Sequence, residues 1–149
     1  MIPLFITGNK PLDVAILSWL VAQVAKVILV LIQDRKLDFR RLVGSGGMPS
    51  SHTSFVVALT TAVALTEGYR STLFAVCVVF SLVVMYDASN VRRAAGEQAK
   101  ILNYMMDHWN DQSPELFERN LKELLGHTPF EVLSGALLGI LMAMIFPVT

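Results

Sequence analysis

The sequence contains almost no cysteine and no excess of either charge, and both shortages exclude classes of protein. Its 149 residues include one cysteine, Cys77, so the chain has no intrachain disulfide and no Cys-x2-Cys metal motif. Cys77 lies in an apolar run, where we expect a small buried side chain. The formal net charge is zero, which argues against nucleic-acid binding through a basic surface. The N-terminus lacks the basic region and cleavage site of a signal peptide, so we expect the first apolar segment to be retained.

Charged residues are scarce as well, at 16% of the chain, whereas hydrophobic residues make up 54%. The mean hydropathy is +0.55. This composition is too apolar for an ordinary soluble domain and indicates an integral membrane protein. Apolar segments predict four transmembrane helices, at about residues 12–32, 49–68, 71–88 and 129–146. The predicted fold class is therefore an all-α integral membrane protein, a single-domain bundle of four transmembrane helices over residues 1–149.

The third predicted helix continues as a polar helix to about Trp109. A short amphipathic helix follows between the third and fourth spans, with Pro114 at its start and Gly126 at its end. It either lies on the membrane surface above the bundle or packs its apolar stripe against the bundle. Lys26, within the first span, also has two interpretations: it faces protein or water, or it extends to the nearer interface.

The distribution of basic residues predicts an orientation. With four spans, both termini lie on one side of the membrane, and the loops after the first and third spans lie on the other. Two basic residues, Lys10 and Arg70, lie on the terminal side. The positive-inside rule therefore places the charged loops in the cytoplasm. These loops contain nine of the twelve basic residues: Arg35, Lys36, Arg40, Arg41, Arg92, Arg93, Lys100, Arg119 and Lys122.

A glycine-rich loop at residues 44–53 leads into the second span. Pro49 suits the first turn of a helix, so we expect helix entry there, with Ser50, Ser51 and His52 in the first turn. Free backbone N–H groups at a helix N-terminus bind anions. Two hydroxyls and an imidazole add to that site, so phosphate is the expected ligand, although a plain loop-to-helix junction would show the same pattern.

Three polar clusters converge at one face of the predicted bundle. His52 begins the second span, residues 87–93 end the third, and His127 with Glu131 begins the fourth. Arginines neutralise phosphate oxygens, one histidine can attack phosphorus, and another can protonate the leaving oxygen. A carboxylate can orient the attacking ring. This set is typical of phosphoryl transfer.

These residues resemble the membrane type 2 phosphatidic acid phosphatases, or lipid phosphate phosphatases, whose fold is shared with vanadium haloperoxidases. The resemblance is to the divergent bacterial branch of that superfamily and extends from about Lys26 to the C-terminus. It rests on Gly-Gly-Met-Pro-Ser-Ser-His at 46–52, Tyr-Asp-Ala-Ser-Asn-Val-Arg-Arg-Ala-Ala-Gly-Glu-Gln-Ala at 86–99, and Gly-His-Thr-Pro-Phe-Glu-Val at 126–132.

The resemblance implies a metal-independent phosphatase without a cofactor, acting on a lipid phosphate or diphosphate in the bacterial cytoplasmic membrane. The family pattern Pro-Ser-Gly-His matches residues 49–52, which implies that His52 is the general acid. His-x3-Asp matches 127–131, so His127 would form a phosphohistidine and Glu131 would orient it. The implied phosphate-binding residues are Ser50, Ser51, Arg92, Arg93, Arg41, Lys36 and Gly47, with Asp87 and Lys26 in supporting roles.

The chain also departs from the family pattern. Serine replaces glycine at position 51, the third motif is split between residues 89–93 and 127–131, and Lys-x6-Arg-Pro is missing. The family usually has six spans, so a homodimer would be one way to complete the bundle. These departures keep open a non-enzymatic alternative, a membrane protein that binds lipid head groups or anions. A metal site of His52, His127, Asp87 and Glu131 is a weaker alternative, because its spacing matches no standard zinc motif.

Glu131 has two competing roles at this stage. Thr128 and Glu131 have the spacing of a capping box, in which the carboxylate returns to the N-cap backbone. In that case Glu131 caps the fourth helix, whereas the family resemblance makes it the partner of His127. The two roles are compatible, because a capping carboxylate stays close to residue 127.

Overall fold

The computed structural model describes residues 6–35, 47–108 and 126–146, and within these ranges it is all-helical, without strands. The predicted amphipathic helix and the basic residues Lys36, Arg40 and Arg41 lie outside the described residues. The described helices are α1 (Lys10–Asp34), α2 (Ser51–Glu67), α3 (Thr72–Tyr86), a π-helical turn (Asp87–Val91), α4 (Arg92–His108) and α5 (Pro129–Ile145). The π-helical turn joins α3 and α4 into one continuous helix, as the sequence predicts.

Polar side chains set the starts of the helices. The side chain of Asn9 caps α1 by accepting the backbone N–H of Leu12 at 3.1 Å. The hydroxyl of Ser71 caps α3 by accepting the backbone N–H of Phe74 at 3.1 Å. Serine and asparagine are favoured at these positions because their side chains satisfy free N–H groups. Gly68 ends α2 with φ of 83°, a conformation that glycine adopts without strain.

The predicted start of α2 is wrong by two residues. Pro49 lies before the helix, Ser50 is its N-cap, and Ser51 is its first helical residue. The hydroxyl of Ser50 accepts the backbone N–H of Thr53 at 3.4 Å. A serine cap at this position is preferred over continuation of the helix to the proline, because it pairs an N–H group that would otherwise be free.

Helix α2 is at the centre of the fold. Helices α1, α3 and α5 all pack against it, α1 also packs against α5, and α1 makes no extended contact with α3 in the described residues. Hydroxyl pairs join these helices: Ser18 to Ser54 at 2.6 Å and Thr60 to Ser81 at 2.7 Å. Such small polar contacts are characteristic of helix association inside membranes.

The contact between α2 and α5 depends on two glycines spaced four residues apart. A methyl group added at Gly139 would come within 2.7 Å of the carbonyl oxygen of Ser54, and one added at Gly135 would collide with the carbonyl oxygen of Ser50. The two backbones are therefore in direct contact, as in membrane helix pairs with the small-x3-small pattern.

The outer surface is apolar, with Leu82, Val83 and Leu137 all about 60% exposed. Among the described residues, two helical segments, Lys10–Ile32 and Thr72–Met106, are long and apolar enough to cross a membrane, and Pro129–Ile145 is a shorter apolar helix. The four-span bundle thus stays a prediction. Cys77 is buried, as the sequence predicts.

The close contact between α2 and α5 leads to a stability prediction. Gly135→Val should lower the free energy of unfolding by about 1–3 kcal/mol, because the new side chain meets backbone atoms that cannot rotate away. Leu137→Val is the matched control, since Leu137 is on the exposed face of α5. Denaturation of the purified protein in detergent, followed by circular dichroism, measures the difference. Equal stability of the two variants would contradict the direct backbone contact.

Candidate functional site

The N-termini of α2 and α5 meet at the centre of the site. The backbone N–H of Ser50 donates to the carbonyl oxygen of Glu131 at 3.0 Å. Ser50 and Ser51 are fully buried. Neither serine lines the neighbouring groove. The structure therefore gives them positioning roles: they fix where α2 begins relative to α5, and thereby where His52 lies.

Lys26 faces the protein interior. It is 2% exposed, and its Nζ donates to the hydroxyl oxygen of Ser51 at 3.1 Å. The alternative that Lys26 extends to the membrane interface is therefore wrong. Its positive charge lies behind the first turn of α2, close enough to act electrostatically on both His52 and His127.

His127 is held at three points just before α5. Its Nδ1 lies 3.1 Å from Oε2 of Glu131, and its backbone N–H donates to the carbonyl oxygen of Ala88 at 2.8 Å. Gly126 precedes it with φ of 89° and packs directly against the backbone of Arg93. With Nδ1 directed at the carboxylate, the proton belongs on Nδ1 and the lone pair on Nε2, the nitrogen a nucleophile would use.

Glu131 performs both of the roles that the sequence left open. The backbone N–H of Thr128 donates to Oε2 of Glu131 at 3.1 Å, and the hydroxyl of Thr128 accepts the N–H of Glu131 at 3.3 Å. This is a complete capping box. The same carboxylate oxygen thus caps α5 and faces the imidazole of His127.

The π-helical turn leaves one backbone carbonyl, that of Ala88, free to accept the N–H of His127. The N–H of Arg92 bonds to the carbonyl of Asp87, five residues earlier. In an α-helix it would bond to Ala88, whose carbonyl instead accepts from His127. Single π-turns within α-helices occur often at functional sites. Here the turn joins the two halves of the split third motif, because Ala88 bonds to His127 although more than thirty residues separate them in sequence.

The two histidines of the site are neighbours. Their ring centroids lie 6.5 Å apart at an angle of 54°. Both imidazoles therefore lie where the N-termini of α2 and α5 meet. His52 is exposed to the groove, whereas His127 is 3% exposed.

A groove with a volume of about 530 Å³ opens beside His52. Its polar end is formed by His52, Asp87 and Arg92. Nε of Arg92 donates to Oδ2 of Asp87 at 2.6 Å. Arg93 is exposed and, like Gly47, does not line the groove. Arg92 is therefore the better match to the phosphate-binding arginine.

Burial lowers the pKa of His127 below its ordinary value of about 6.5, and the hydrogen bond to Glu131 opposes part of that shift. Nearby Lys26 contributes further to the lowering. A lowered pKa keeps the ring neutral at neutral pH, which is the form that can act as a nucleophile.

Sequence reasoning missed two parts of the site. One is the carbonyl of Ala88, because no local sequence signal marks a π-turn. The other is the apolar wall of the groove, whose residues read as ordinary membrane-helix residues. The close contact of α2 and α5 did have a signal, the Gly-x3-Gly spacing at residues 135–139, which indicates a helix contact.

The weaker metal-site alternative gains no support from the described part of the chain. Within residues 6–35, 47–108 and 126–146, no three His, Cys, Asp or Glu side chains are grouped so that they could hold a metal ion. The described side chains of the site are a pair of histidines with two carboxylates, a lysine and an arginine.

In its described residues the protein is all-helical, with an apolar outer surface and hydroxyl pairs between its helices, which are the features of a membrane protein. Comparison with known proteins agrees: the chain belongs to the Divergent PAP2 family, whose pattern matches residues 7–142. It is also 44% identical to YuiD, an uncharacterized membrane protein of Bacillus subtilis, over 92% of this chain and 93% of that protein. No solved structure matches.

The pairing of His127 with Glu131 predicts the effect of Glu131→Gln. Glutamine preserves the capping box but removes the negative charge. The pKa of His127 should then fall further, because burial is no longer opposed by the carboxylate. NMR titration of the imidazole protons measures this shift, with the exposed Glu97→Gln as control. An unchanged or raised pKa would show that the carboxylate does not act on the ring.

Proposed function

We propose that this protein is an integral membrane phosphatase that hydrolyses a lipid phosphate or diphosphate through a phosphohistidine. The observation that carries the proposal is the alignment of Glu131, His127 and His52: carboxylate to first imidazole at 3.1 Å, and first imidazole to second at 6.5 Å. This is the order of an orienting base, a nucleophile and a proton donor. Membership of the Divergent PAP2 family supports it.

The reaction has two balanced steps. Nε2 of His127 attacks phosphorus, the bond from phosphorus to the lipid oxygen breaks, and His52 gives a proton to that oxygen, so a neutral alcohol leaves. For a diphosphate substrate, the leaving group is the lipid monophosphate. Water then attacks the phosphohistidine, His52 accepts a proton from the water, and the N–P bond breaks to release inorganic phosphate and restore His127.

The positive charges near the two rings suit this reaction. Lys26 and Arg92 both act electrostatically on His52 and His127. Such cations stabilise the negative charge on the phosphoryl oxygens in a transition state. In this proposal Lys26 supplies, from behind α2, a cation that the missing Lys-x6-Arg-Pro motif would otherwise provide.

Two observations favour the second candidate, a non-enzymatic protein that binds anionic head groups. His127 is 3% exposed, so the nucleophile is covered. Arg92 is paired with Asp87, which neutralises the arginine that would bind phosphate. A phosphate that displaced Asp87 from Arg92 would be bound at the mouth of the groove without reaching His127.

Phosphate release from a panel of lipid phosphates and diphosphates, in detergent with EDTA, decides between the two functions. His127→Ala should abolish release and acid-labile phosphate trapped on the protein. His52→Ala should reduce the rate by about 10²–10⁴-fold, the usual contribution of a general acid. His108→Ala, which removes the remaining histidine, is the matched control. Head-group binding by folded protein without any release would favour the binding function, and label retained on His127→Ala would remove the nucleophile assignment.

The cytoplasmic orientation of the site is also part of the proposal, and it rests on the excess of basic residues in two loops. In a Cys77→Ala background, a cysteine at position 36 should react with a membrane-impermeant reagent only after the cells are opened. A cysteine at Arg70 should react in intact cells. The reverse pattern would place the site on the outer side of the membrane.

A further inference from the structure

The groove beside His52 exists because two helices pack on α2 without packing on each other. α1 and α3 each pack against α2, with no extended contact between them in the described residues. The floor of the resulting gap is therefore α2, and its two sides are α1 and α3. The groove is open on the side away from α2, where α1 and α3 present exposed apolar residues.

The groove has one polar end and an apolar remainder. His52, Asp87 and Arg92 form the polar end, and that end lies beside His127. From Asp87 to Phe80 the wall extends seven residues, about 10 Å along α3. The apolar wall consists of Trp19 from α1, Phe55 and Val56 from α2, and Phe80, Val83 and Val84 from α3.

A groove of this kind matches the chemistry of an amphiphile. A phosphate at the polar end would meet Arg92 and His52, with Lys26 behind them, and a hydrocarbon chain would lie along the apolar wall. The volume of about 530 Å³ is within the range of small-molecule sites, roughly 300–1,000 Å³. A free phosphate would use only the polar end and leave the apolar length of the groove unexplained.

We infer that the groove between α1 and α3 binds one hydrocarbon chain of an amphiphile whose phosphate lies at Arg92 and His52. The chain enters sideways between the two helices, and the groove holds the carbons nearest the head group. The identity of the phosphate group rests on the proposed function; the binding of the chain rests on the groove alone.

The structure predicts how affinity depends on chain length. For short-chain alkylphosphonates that are dissolved in water before they bind, each methylene buried in the groove should tighten binding about fourfold, from about 0.8 kcal/mol per CH₂ removed from water. The increase should stop once the chain is longer than the roughly 10 Å of wall. An alcohol of the same chain length should bind much more weakly, because it carries no charge for Arg92.

Trp19 provides a direct reporter of occupancy. The sequence contains two tryptophans, so a Trp109→Phe protein has Trp19 as its only one. In phosphatidylcholine nanodiscs, non-hydrolysable alkylphosphonates with bromine on the carbons nearest the phosphonate should quench Trp19 fluorescence saturably. Brominated alkanols of equal chain length correct for partition into the bilayer. Equal saturable quenching by the alkanol would contradict the inference that the chain binds in the groove together with a phosphate at Arg92 and His52.

A matched pair of variants on α3 tests the location. Val83 lines the groove and is 61% exposed, whereas Val76 is 58% exposed, two turns away, and does not line it. Val83→Phe should weaken binding of the long-chain alkylphosphonate by at least tenfold and leave methylphosphonate binding unchanged. Val76→Phe should change neither. Equal effects of the two variants, or no dependence of affinity on chain length, would overturn the inference.

Hydrolysis assays on alkyl phosphates of the same chain lengths separate this inference from the proposed function. Phosphonate binding with the expected chain dependence, but no hydrolysis of any phosphate, would contradict the phosphatase and support the groove. Hydrolysis that is equally fast for all chain lengths and for Val83→Phe would support the phosphatase and contradict the groove.

Discussion

The contact between the first turns of α2 and α5 is the constraint on which the site depends. Ser50 bonds to the carbonyl of Glu131 through its backbone N–H, and Gly135 allows the two backbones to touch. A side chain at position 135 would separate the helices and move His52 away from His127. The relative position of the two histidines is therefore set by Gly135, which has no side chain, and by Ser50, whose side chain is fully buried.

The site also shows how an apolar protein retains charge in its interior. A lysine at membrane depth costs on the order of 2.5–3.5 kcal/mol to insert, yet Lys26 is 2% exposed. Its hydrogen bond to Ser51 offsets part of that cost. This buried cation acts electrostatically on both imidazoles, so Lys26 belongs to the same charged cluster as Glu131 and Arg92.

Glu131 illustrates how one side chain serves folding and the site together. Its carboxylate caps α5 through Thr128 and faces His127 with the same oxygen. Because the capping box holds the carboxylate at a fixed position, the carboxylate that caps α5 also orients the imidazole. The π-turn has a comparable double role, since it continues the long α3–α4 helix and presents the carbonyl of Ala88 to His127.

Much of this arrangement could be predicted from local sequence, because local sequence controls helix formation. The cap formed by Thr128 and Glu131 and the end of α2 at Gly68 depend on contacts within a few residues. Pattern, spacing and apolar composition therefore predicted the all-helical class and the meeting of two histidines with a carboxylate. The start of α2 was predicted at Pro49 rather than Ser51 because proline favours the first helical turn, whereas serine favours the N-cap, and both residue types occur within residues 49–51.

The tertiary structure alone decided which of these residues meet. Whether Lys26 faced the interior, whether Arg92 or Arg93 reached the groove, and whether Glu131 oriented His127 depended on contacts between residues distant in sequence. The groove between α1 and α3 likewise arises from how three helices pack, and no periodicity in any one helix encodes a gap between two others.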